Sequence, residues 1–221
     1  AGGYREAARA PLSEVGADIT AQRQGDVPEG FTGILFPHSV APLHRDEIEA
    51  IAALPNVDSI TESLFFWSFE EESFVAGLGF DPAADFGPGR LRAGLIEGRF
   101  LDVNDSGVTL VDASYATQNA LSLGGTVTIV GNSFEIVGIV DTTRTGQIAN
   151  ANLYLPLADA QAMSAIAPNV LAVHDMHPDD ANLLFIKAEQ TQAEAVVAGA
   201  EAILGEKALV SSAESFVEQL S

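Results

Sequence analysis

The sequence predicts an α+β fold in which two β-α-β units of ferredoxin-like character form one subdomain and a small β-rich subdomain interrupts it. A strand–helix–strand pattern near the start of the chain returns near its end, and a glycine-marked segment with several short β-rich runs, residues 94–141, lies between the two. With 221 residues and 47% hydrophobic composition, the chain can bury a substantial core. We therefore assign residues 1–90 and 150–221 to the α+β subdomain and residues 91–149 to the inserted one.

The first β-α-β unit is predicted from changes in hydrophobic period. Residues 17–22 alternate apolar and polar side chains, which predicts a strand. Residues 45–54 place apolar side chains on one helical face, and Pro55 ends this helix because the residue before a proline is pushed out of the α region. Residues 57–69 are then predicted to form a long strand.

The inserted segment is predicted to hold a strand, a helix and a hairpin. Residues 108–111 are a short apolar strand, after which Ser114 can cap a short helix that Gly124 ends in a left-handed conformation. Two β-rich runs follow, and the dipeptide Gly131-Asn132 between them has the length and chemistry of a tight turn.

The segment after the insertion is predicted to begin with a short strand at residues 152–155. Pro156 can open the helix that follows, because proline is favoured in the first turn of a helix. Residues 168–180 are expected to be a polar loop.

The second β-α-β unit comes next. Residues 183–187 read as a strand, Thr191 with Glu194 predicts a capping box for an apolar-striped helix, and Gly205 predicts its end. A strand at residues 208–211 follows. A second capping box, Ser211 with Glu214, predicts a last helix that is cut off at Ser221.

Composition excludes several classes of function. The 31 acidic side chains against 10 basic ones give a net charge of −21, which repels phosphate backbones and anionic lipid surfaces, so no nucleic-acid partner is expected. The absence of cysteine removes disulfides and thiolate chemistry. The sequence has neither a phosphate-binding loop nor a G-x-S-x-G nucleophile elbow. We therefore predict a protein that is not an enzyme and needs no cofactor.

An aromatic run in the long strand is the candidate contact site. Strand alternation places Phe65, Trp67 and Phe69 on one face, and Leu64 and Phe66 on the other. Packing into the core is one interpretation of the first face. The other is an exposed edge that contacts a substrate or partner, because exposed aromatic patches mark interfaces.

Two segments carry metal-ligand residue types without a matching metal-site pattern. The loop around His174 and His177 offers imidazoles and carboxylates, but their spacing is not that of a structural zinc site, and a solvated loop is the preferred interpretation. Residues 102–107 imitate the first half of a calcium loop, yet its twelfth position is Ala113 instead of a glutamate. Turn residues before a strand are the better reading of that segment.

Three segments resemble the periplasmic core domain of MacB/FtsX-type ABC transporter permeases. Residues 94–141 have the order helix, double glycine, strand, hairpin and a last strand containing the run VGIV. Residues 49–64 and 152–163 also resemble the family, so the resemblance covers most of the chain. Gly125 stands where the family usually has Asp. This departure removes a turn-forming residue and affects no catalytic group.

This resemblance implies a porter-like subdomain interrupted by a small β-rich one, in a cell membrane protein whose present domain is extracytoplasmic, periplasmic or extracellular. Residues 4–14 are then the tail of a first membrane helix, the alternative being a frayed terminal helix. Gly87-Pro88-Gly89 and residues 142–150 are the expected crossings between two subdomains that can move relative to each other.

The resemblance also implies partners. A cytoplasmic ABC ATPase drives such permeases, the permeases dimerise, and the domain transmits ATP-driven motion or engages an exported substrate or an external protein. The alternative function is a free-standing secreted module that binds a ligand or peptide in a cleft lined by the aromatics at residues 65–69.

The lysine-poor, acidic composition further predicts a halophilic source, because molar salt screens the self-repulsion of such a surface. We expect the melting temperature of the chain to rise when KCl is increased from 0.1 M to molar concentration, as measured by circular dichroism. A chain that is fully folded at low salt and gains no melting temperature from added salt would remove the halophilic interpretation.

Overall fold

The computed structural model describes residues 16–145 and 151–212 of the chain. The helices expected at residues 4–14 and after Ser211 therefore lie outside the described residues. Within the described ranges, no helix combines the length and the apolar composition needed to cross a bilayer.

The described residues form eleven strands and five α-helices. In the first half of the chain these are β1 (Ile19–Arg23), β2 (Gly33–Leu35), α1 (Arg45–Ala52), β3 (Val57–Glu70), β4 (Ser73–Phe80), β5 (Leu95–Gly98), β6 (Val108–Asp112) and α2 (Ala113–Gln118). In the second half they are β7 (Thr126–Ile129), β8 (Asn132–Val140), β9 (Leu153–Pro156), α3 (Leu157–Ser164), α4 (Pro168–Val173), β10 (Leu183–Ala188), α5 (Ala193–Leu204) and β11 (Ala208–Ser212).

The first and last β-α-β units interleave into one four-stranded antiparallel sheet. Its order is β11-β1-β10-β3, so the two strands of each unit are separated by a strand of the other. Helices α1 and α5 cover this sheet, and their buried side chains, such as Ile51 and Val196, share a core with Ile19 and Ile186 of the strands. The α+β, ferredoxin-like fold predicted for these units is confirmed.

The sheet continues from β3 through β4 into the inserted segment. Strand β9 pairs in parallel with β4 on one edge and antiparallel with β6 on the other. Strands β8 and β5 extend the sheet beyond β6, and β7 completes a hairpin with β8. One sheet thus runs across the predicted boundaries at residues 90 and 150, and the division into two subdomains stays a prediction.

One edge of β3 is hydrogen-bonded along most of its length, although no single strand covers that edge. Its first half pairs with β10, and its last residues pair with β2. Between them, the buried side chain of Asn182 accepts a hydrogen bond from Phe65 N (2.7 Å) and donates one to Phe65 O (2.8 Å). Asn182 therefore takes the place of a strand residue at the gap between β10 and β2.

The predicted cap of α2 is wrong at both ends. Asp112, at the end of β6, accepts a hydrogen bond from Tyr115 N and starts the helix two residues before Ser114. The helix ends at Gln118, and Ala120 just after it is left-handed (φ 53°). Gly124 is left-handed as predicted (φ 81°), but it lies in the turn before β7 and does not end the helix. A carboxylate that the strand already holds in place makes a better cap than the next hydroxyl along the chain.

The hairpin turn between β7 and β8 lies one residue earlier than predicted. Ile129 pairs with Asn132, so the two turn residues are Val130 and Gly131, both with positive φ (46° and 79°). The Asn132 side chain donates to Ile129 O and Val130 O. These bonds anchor the turn that places a β-branched residue in a strained conformation.

Two further local predictions are corrected. Thr191 does not cap α5, because its hydroxyl donates to the Glu189 carboxylate (2.6 Å) and Gln192 occupies the N-cap position; Gly205 ends the helix as predicted. Within the expected polar loop after residue 168, a turn of helix forms as α4 because Val170 packs into the core.

The Asn182 bridge generates a stability prediction. Replacing Asn182 by Ala leaves Phe65 N and Phe65 O without partners at a part-buried site, and each unsatisfied group costs about 1–3 kcal/mol. We expect the free energy of unfolding, measured by urea denaturation, to fall by about 2–4 kcal/mol.

The matched control is Asn119→Ala, since the Asn119 amide is exposed and bonds only within its own helix end. That variant should change stability by less than about 0.5 kcal/mol. Equal effects of the two substitutions would contradict the role given to Asn182.

Candidate functional site

The two faces of β3 separate as its alternation predicts. Leu64 and Phe66 are fully buried in the core, whereas Phe65, Trp67 and Phe69 on the opposite face are half-buried. The three predicted contact residues do not stay together, however. Phe65 packs against the core cluster that contains Leu78 and Phe80, and only Trp67 and Phe69 reach the surface cluster described next.

Four aromatic rings form that cluster, which we call the distal aromatic patch: Phe31, Trp67, Phe69 and Phe74. Ring centroids lie 4.8 Å apart for Phe69 and Phe74, 6.0 Å for Trp67 and Phe74, and 6.5 Å for Phe31 and Phe69. Phe31 and Phe74 are 60% and 46% exposed. His38 adds an edge contact to Trp67 at 5.4 Å. The patch is an apolar surface held together by its own ring contacts.

Sequence reasoning missed Phe31 and His38. Phe31 lies in an irregular segment before α1, and His38 lies in a 3₁₀ turn, Pro37–Ser39. Neither segment has a hydrophobic period, so only the structure brings the two residues to β3. The only available signal was a large aromatic residue, Phe31, inside an otherwise polar glycine-rich stretch.

Negative charge borders the patch. Glu70, Glu71 and Glu72 form the exposed turn between β3 and β4, as the sequence predicts for this charge run. Val130 N donates a hydrogen bond to Glu70 Oε1 (3.2 Å), which brings the tip of the β7–β8 hairpin beside this turn. Val130 itself is 45% exposed, so the same end of the molecule carries a further apolar side chain beyond the acidic turn.

The patch lies far from the strands at which the described chain begins and ends. Ile19 of β1 pairs with Ser212 of β11 and with Ile186 of β10, which in turn pairs with Ile60 of β3. Phe69 follows Ile60 by nine residues on the same strand, a distance of about 30 Å in an extended chain. β1 runs towards the patch and β11 runs away from it. The start of β1 and the end of β11 therefore both face away from the patch.

The two histidines considered as metal ligands are separated in the structure. His174 stacks on Phe36 with ring centroids 5.5 Å apart, and its burial lowers its pKa. His177 instead stacks on His44, a residue the sequence did not indicate. Of the described residues, His44, His177 and Asp180 form a group whose donor atoms lie within 4.8 Å of one another.

The calcium-like segment is a turn, as preferred from the sequence. The Asp105 carboxylate accepts hydrogen bonds from both terminal nitrogens of Arg99 (2.8 and 3.1 Å) and from Asp102 N (2.7 Å). The hydrogen bond from Arg99 holds the pKa of Asp105 below its usual range. A carboxylate already paired in this way serves to shape the turn before β6.

Comparison with known proteins accounts for this architecture. The MacB-like periplasmic core domain family matches residues 3–203, which is most of the chain. The chain belongs to this family. This MacB-like domain is therefore the extracytoplasmic domain of an ABC transporter permease, a class of protein that works with an ATPase, as the resemblance implied.

Solved structures share the fold at low sequence identity. The periplasmic region of MacB from Actinobacillus actinomycetemcomitans aligns with a TM-score of 0.61 and 15% identity over 95% of each chain. The extracellular domain of the ABC-type transporter YknZ from Gram-positive bacteria aligns with a TM-score of 0.57 and 14% identity, over 89% of this chain and 100% of that one. No curated protein matches the chain.

These matches confirm the family and the porter-like fold of the MacB-like domain. They relate it to domains of transporters and leave its partner, its dimerisation and the halophilic source as predictions. That the chain is not an enzyme likewise stays a prediction. The family relationship is to periplasmic domains of transporter permeases.

Proposed function

We propose that this MacB-like domain is a stiff lever that carries ATP-driven motion from the membrane part of the permease to an external protein bound at the distal aromatic patch. The observation that carries this proposal is the placement of the patch at one end of β3, with the paired strands β1 and β11 at the other. A force applied where β1 and β11 meet the membrane part then acts on the partner through β3.

The hydrogen-bond ladder of β3 supports the lever role. β3 and β4 pair over eight residue pairs, from Ser63 opposite Phe80 to Glu70 opposite Ser73. β9 ties β4 to β6, so the sheet has no break at which one lobe could swing freely about the other. Displacing part of such a sheet requires breaking several backbone hydrogen bonds together, whereas displacing all of it requires breaking none. Movement of the domain as one body is therefore favoured over a hinge between lobes.

The chemistry of the patch defines the partner. Tyrosine, tryptophan and phenylalanine are enriched at protein interfaces, and tryptophan is among the residues that most often dominate the binding energy. The acidic turn at residues 70–72 adds a negatively charged rim. The fitting partner is a protein surface with apolar side chains at its centre and lysine or arginine around them, because the rim charge then attracts and orients it.

Nothing in residues 16–145 and 151–212 favours the alternative of a secreted ligand-binding module. It requires a cleft lined by the aromatics of β3. Two surface cavities, of about 200 and 390 Å³, are lined by other side chains, and neither includes Phe65, Trp67 or Phe69.

The lever role is testable by distance measurement in the complete transporter. The chain contains no cysteine, so Glu72→Cys at the patch end and Leu209→Cys on the edge strand β11 accept spin labels without competition within this domain. We expect the 72–209 distance from double electron–electron resonance to be the same without nucleotide and with a non-hydrolysable ATP analogue. The distance from residue 72 to a label on the ATPase should change between these states.

Two results would contradict the lever. A nucleotide-dependent 72–209 distance means that the domain bends internally. A constant distance between residue 72 and the ATPase means that no motion reaches the patch. The Asn182→Ala variant serves as a control, because loss of the bridge on β3 should broaden the 72–209 distribution.

The patch is tested separately by the double variant Phe31→Ser/Phe74→Ser. Complementation of a permease deletion should fall at least about tenfold, since truncating interface anchors costs 2 kcal/mol or more. ATP hydrolysis by the transporter and the melting temperature of the domain should be retained because Phe31 is 60% exposed and Phe74 46% exposed, and neither belongs to a buried core cluster.

The matched control is Ile96→Ser/Leu209→Ser, which removes apolar side chains of similar exposure (43% and 45%) from edge strands outside the patch. It should complement normally. Normal complementation by the patch variant would reject the patch as a functional surface and leave the lever measurement unaffected.

A further inference from the structure

Two histidines and a buried aspartate meet where the start of α1 faces the loop before β10. His44 is the N-cap residue of α1, and its Nδ1 lies 3.0 Å from Asp180 Oδ2. The His177 ring stacks on the His44 ring, with centroids 4.4 Å apart and an interplanar angle of 26°. Residues separated by more than 130 positions in the chain thus converge on one carboxylate.

The Asp180 carboxylate is an independent sign of a missing partner. Its side chain is 0% exposed. Oδ2 accepts a hydrogen bond from His177 N (2.7 Å), but Oδ1 has no hydrogen-bond partner within the described part of the chain and lies 3.9 Å from His177 Nδ1. A buried, unpaired carboxylate oxygen is costly, and its burial raises the pKa of Asp180. A cation at Oδ1 would remove that cost.

The backbone fixes two of the three groups. Leu43 and Ala181, which adjoin His44 and Asp180, exchange backbone hydrogen bonds of 2.7 and 3.2 Å. Glu47 accepts a bond from His44 N (3.0 Å), and Gln161 donates one to Asp180 O (3.0 Å). His44 and Asp180 are therefore presented from a rigid scaffold, which the loop sequence alone did not indicate.

We propose that His44, His177 and Asp180 bind a divalent transition-metal ion of the zinc class. Two imidazoles and one carboxylate are a ligand set that zinc accepts, whereas calcium and magnesium prefer oxygen ligands alone. Asp175, whose carboxylate lies 3.2 Å from His177 Nε2 on the solvent side, or a water molecule supplies the remaining position.

The required rearrangement is small. Bonds of about 2.1 Å in a tetrahedral site place neighbouring donor atoms about 3.4 Å from one another. In the structure, the three donor atoms lie within 4.8 Å of one another. Stacked rings cannot both aim a nitrogen at one ion, so His177 must rotate out of the stack. Its side chain is 49% exposed and is therefore free to do so.

An entry path adjoins the site. The surface cavity of about 200 Å³ is lined by His44 and Asp175, so an ion can reach the ligands from solvent. Arg23, which lines the same cavity, donates hydrogen bonds to both carboxylate oxygens of Glu47, so its charge is compensated locally.

The test is a titration of the 221-residue chain, freed of any histidine tag, with Zn²⁺ by calorimetry and with Co²⁺ by visible absorption. We expect one ion per chain with a Kd of about 10 μM or tighter. The d–d bands of tetrahedral Co²⁺ and a higher melting temperature at saturating Zn²⁺ should accompany binding, since a ligand of the folded state stabilises it.

Variants decide whether the ion sits at the proposed ligands. His177→Ala removes a half-exposed side chain and should weaken Zn²⁺ binding at least about tenfold while the apo melting temperature is retained. Asp180→Asn should abolish the cobalt bands. If Asp180→Asn folds poorly, His177→Ala alone still decides the test.

The matched control is His38→Asn, which removes an imidazole outside the group and keeps a residue type that tolerates its positive φ of 55°. Its metal affinity should equal that of the wild type. Absence of binding by either ion at 1 mM, or wild-type affinity in His177→Ala, would overturn the proposal.

Discussion

The fold depends on keeping the fourteen-residue strand β3 hydrogen-bonded to its neighbours. β4 covers one edge from Ser63 to Glu70, and the other edge is shared between β10 and β2. Asn182 bridges the gap at Phe65, and Asn152 does the same on β4, where its side chain accepts a bond from Ala76 N and its own N–H donates to Ala76 O. Asn182 thus completes one edge of β3 within the ferredoxin-like half of the sheet, and Asn152 ties the start of β9 to β4.

This arrangement explains why β3 is apolar on both faces. Near Leu64 and Phe66, one face is buried beneath α3 and the inserted strands, while Phe65 on the other packs against a second core. Beyond Phe65 the second core ends, and Trp67 and Phe69 continue the same face into the exposed patch. A single alternating pattern therefore serves the core along one part of the strand and the surface along another.

How far the sequence predicted the structure depends on the range of the interaction. The long strand, α1 and the end of α5 at Gly205 follow from local periods and propensities, and the structure contains them. The cap of α2 was missed because Asp112 and Ser114 are both good caps, and only the end of β6 decides between them. His44 and Phe31 were missed because each acts through contacts with residues far along the chain, which no local pattern records.

The proposed metal site and the proposed lever meet at one short segment. Asp180 stands two residues before Asn182, and the intervening Ala181 is bonded to Leu43 beside His44. An ion held by His44, His177 and Asp180 would immobilise the residues that position Asn182 against Phe65, and so would stiffen β3 where its two pairing strands change over. Removing the ion would weaken the middle of the lever and leave the contacts within the aromatic patch intact, since no patch ring belongs to the ligand group. The stiffness of β3 and the affinity of its tip for a partner are, on this argument, separately adjustable.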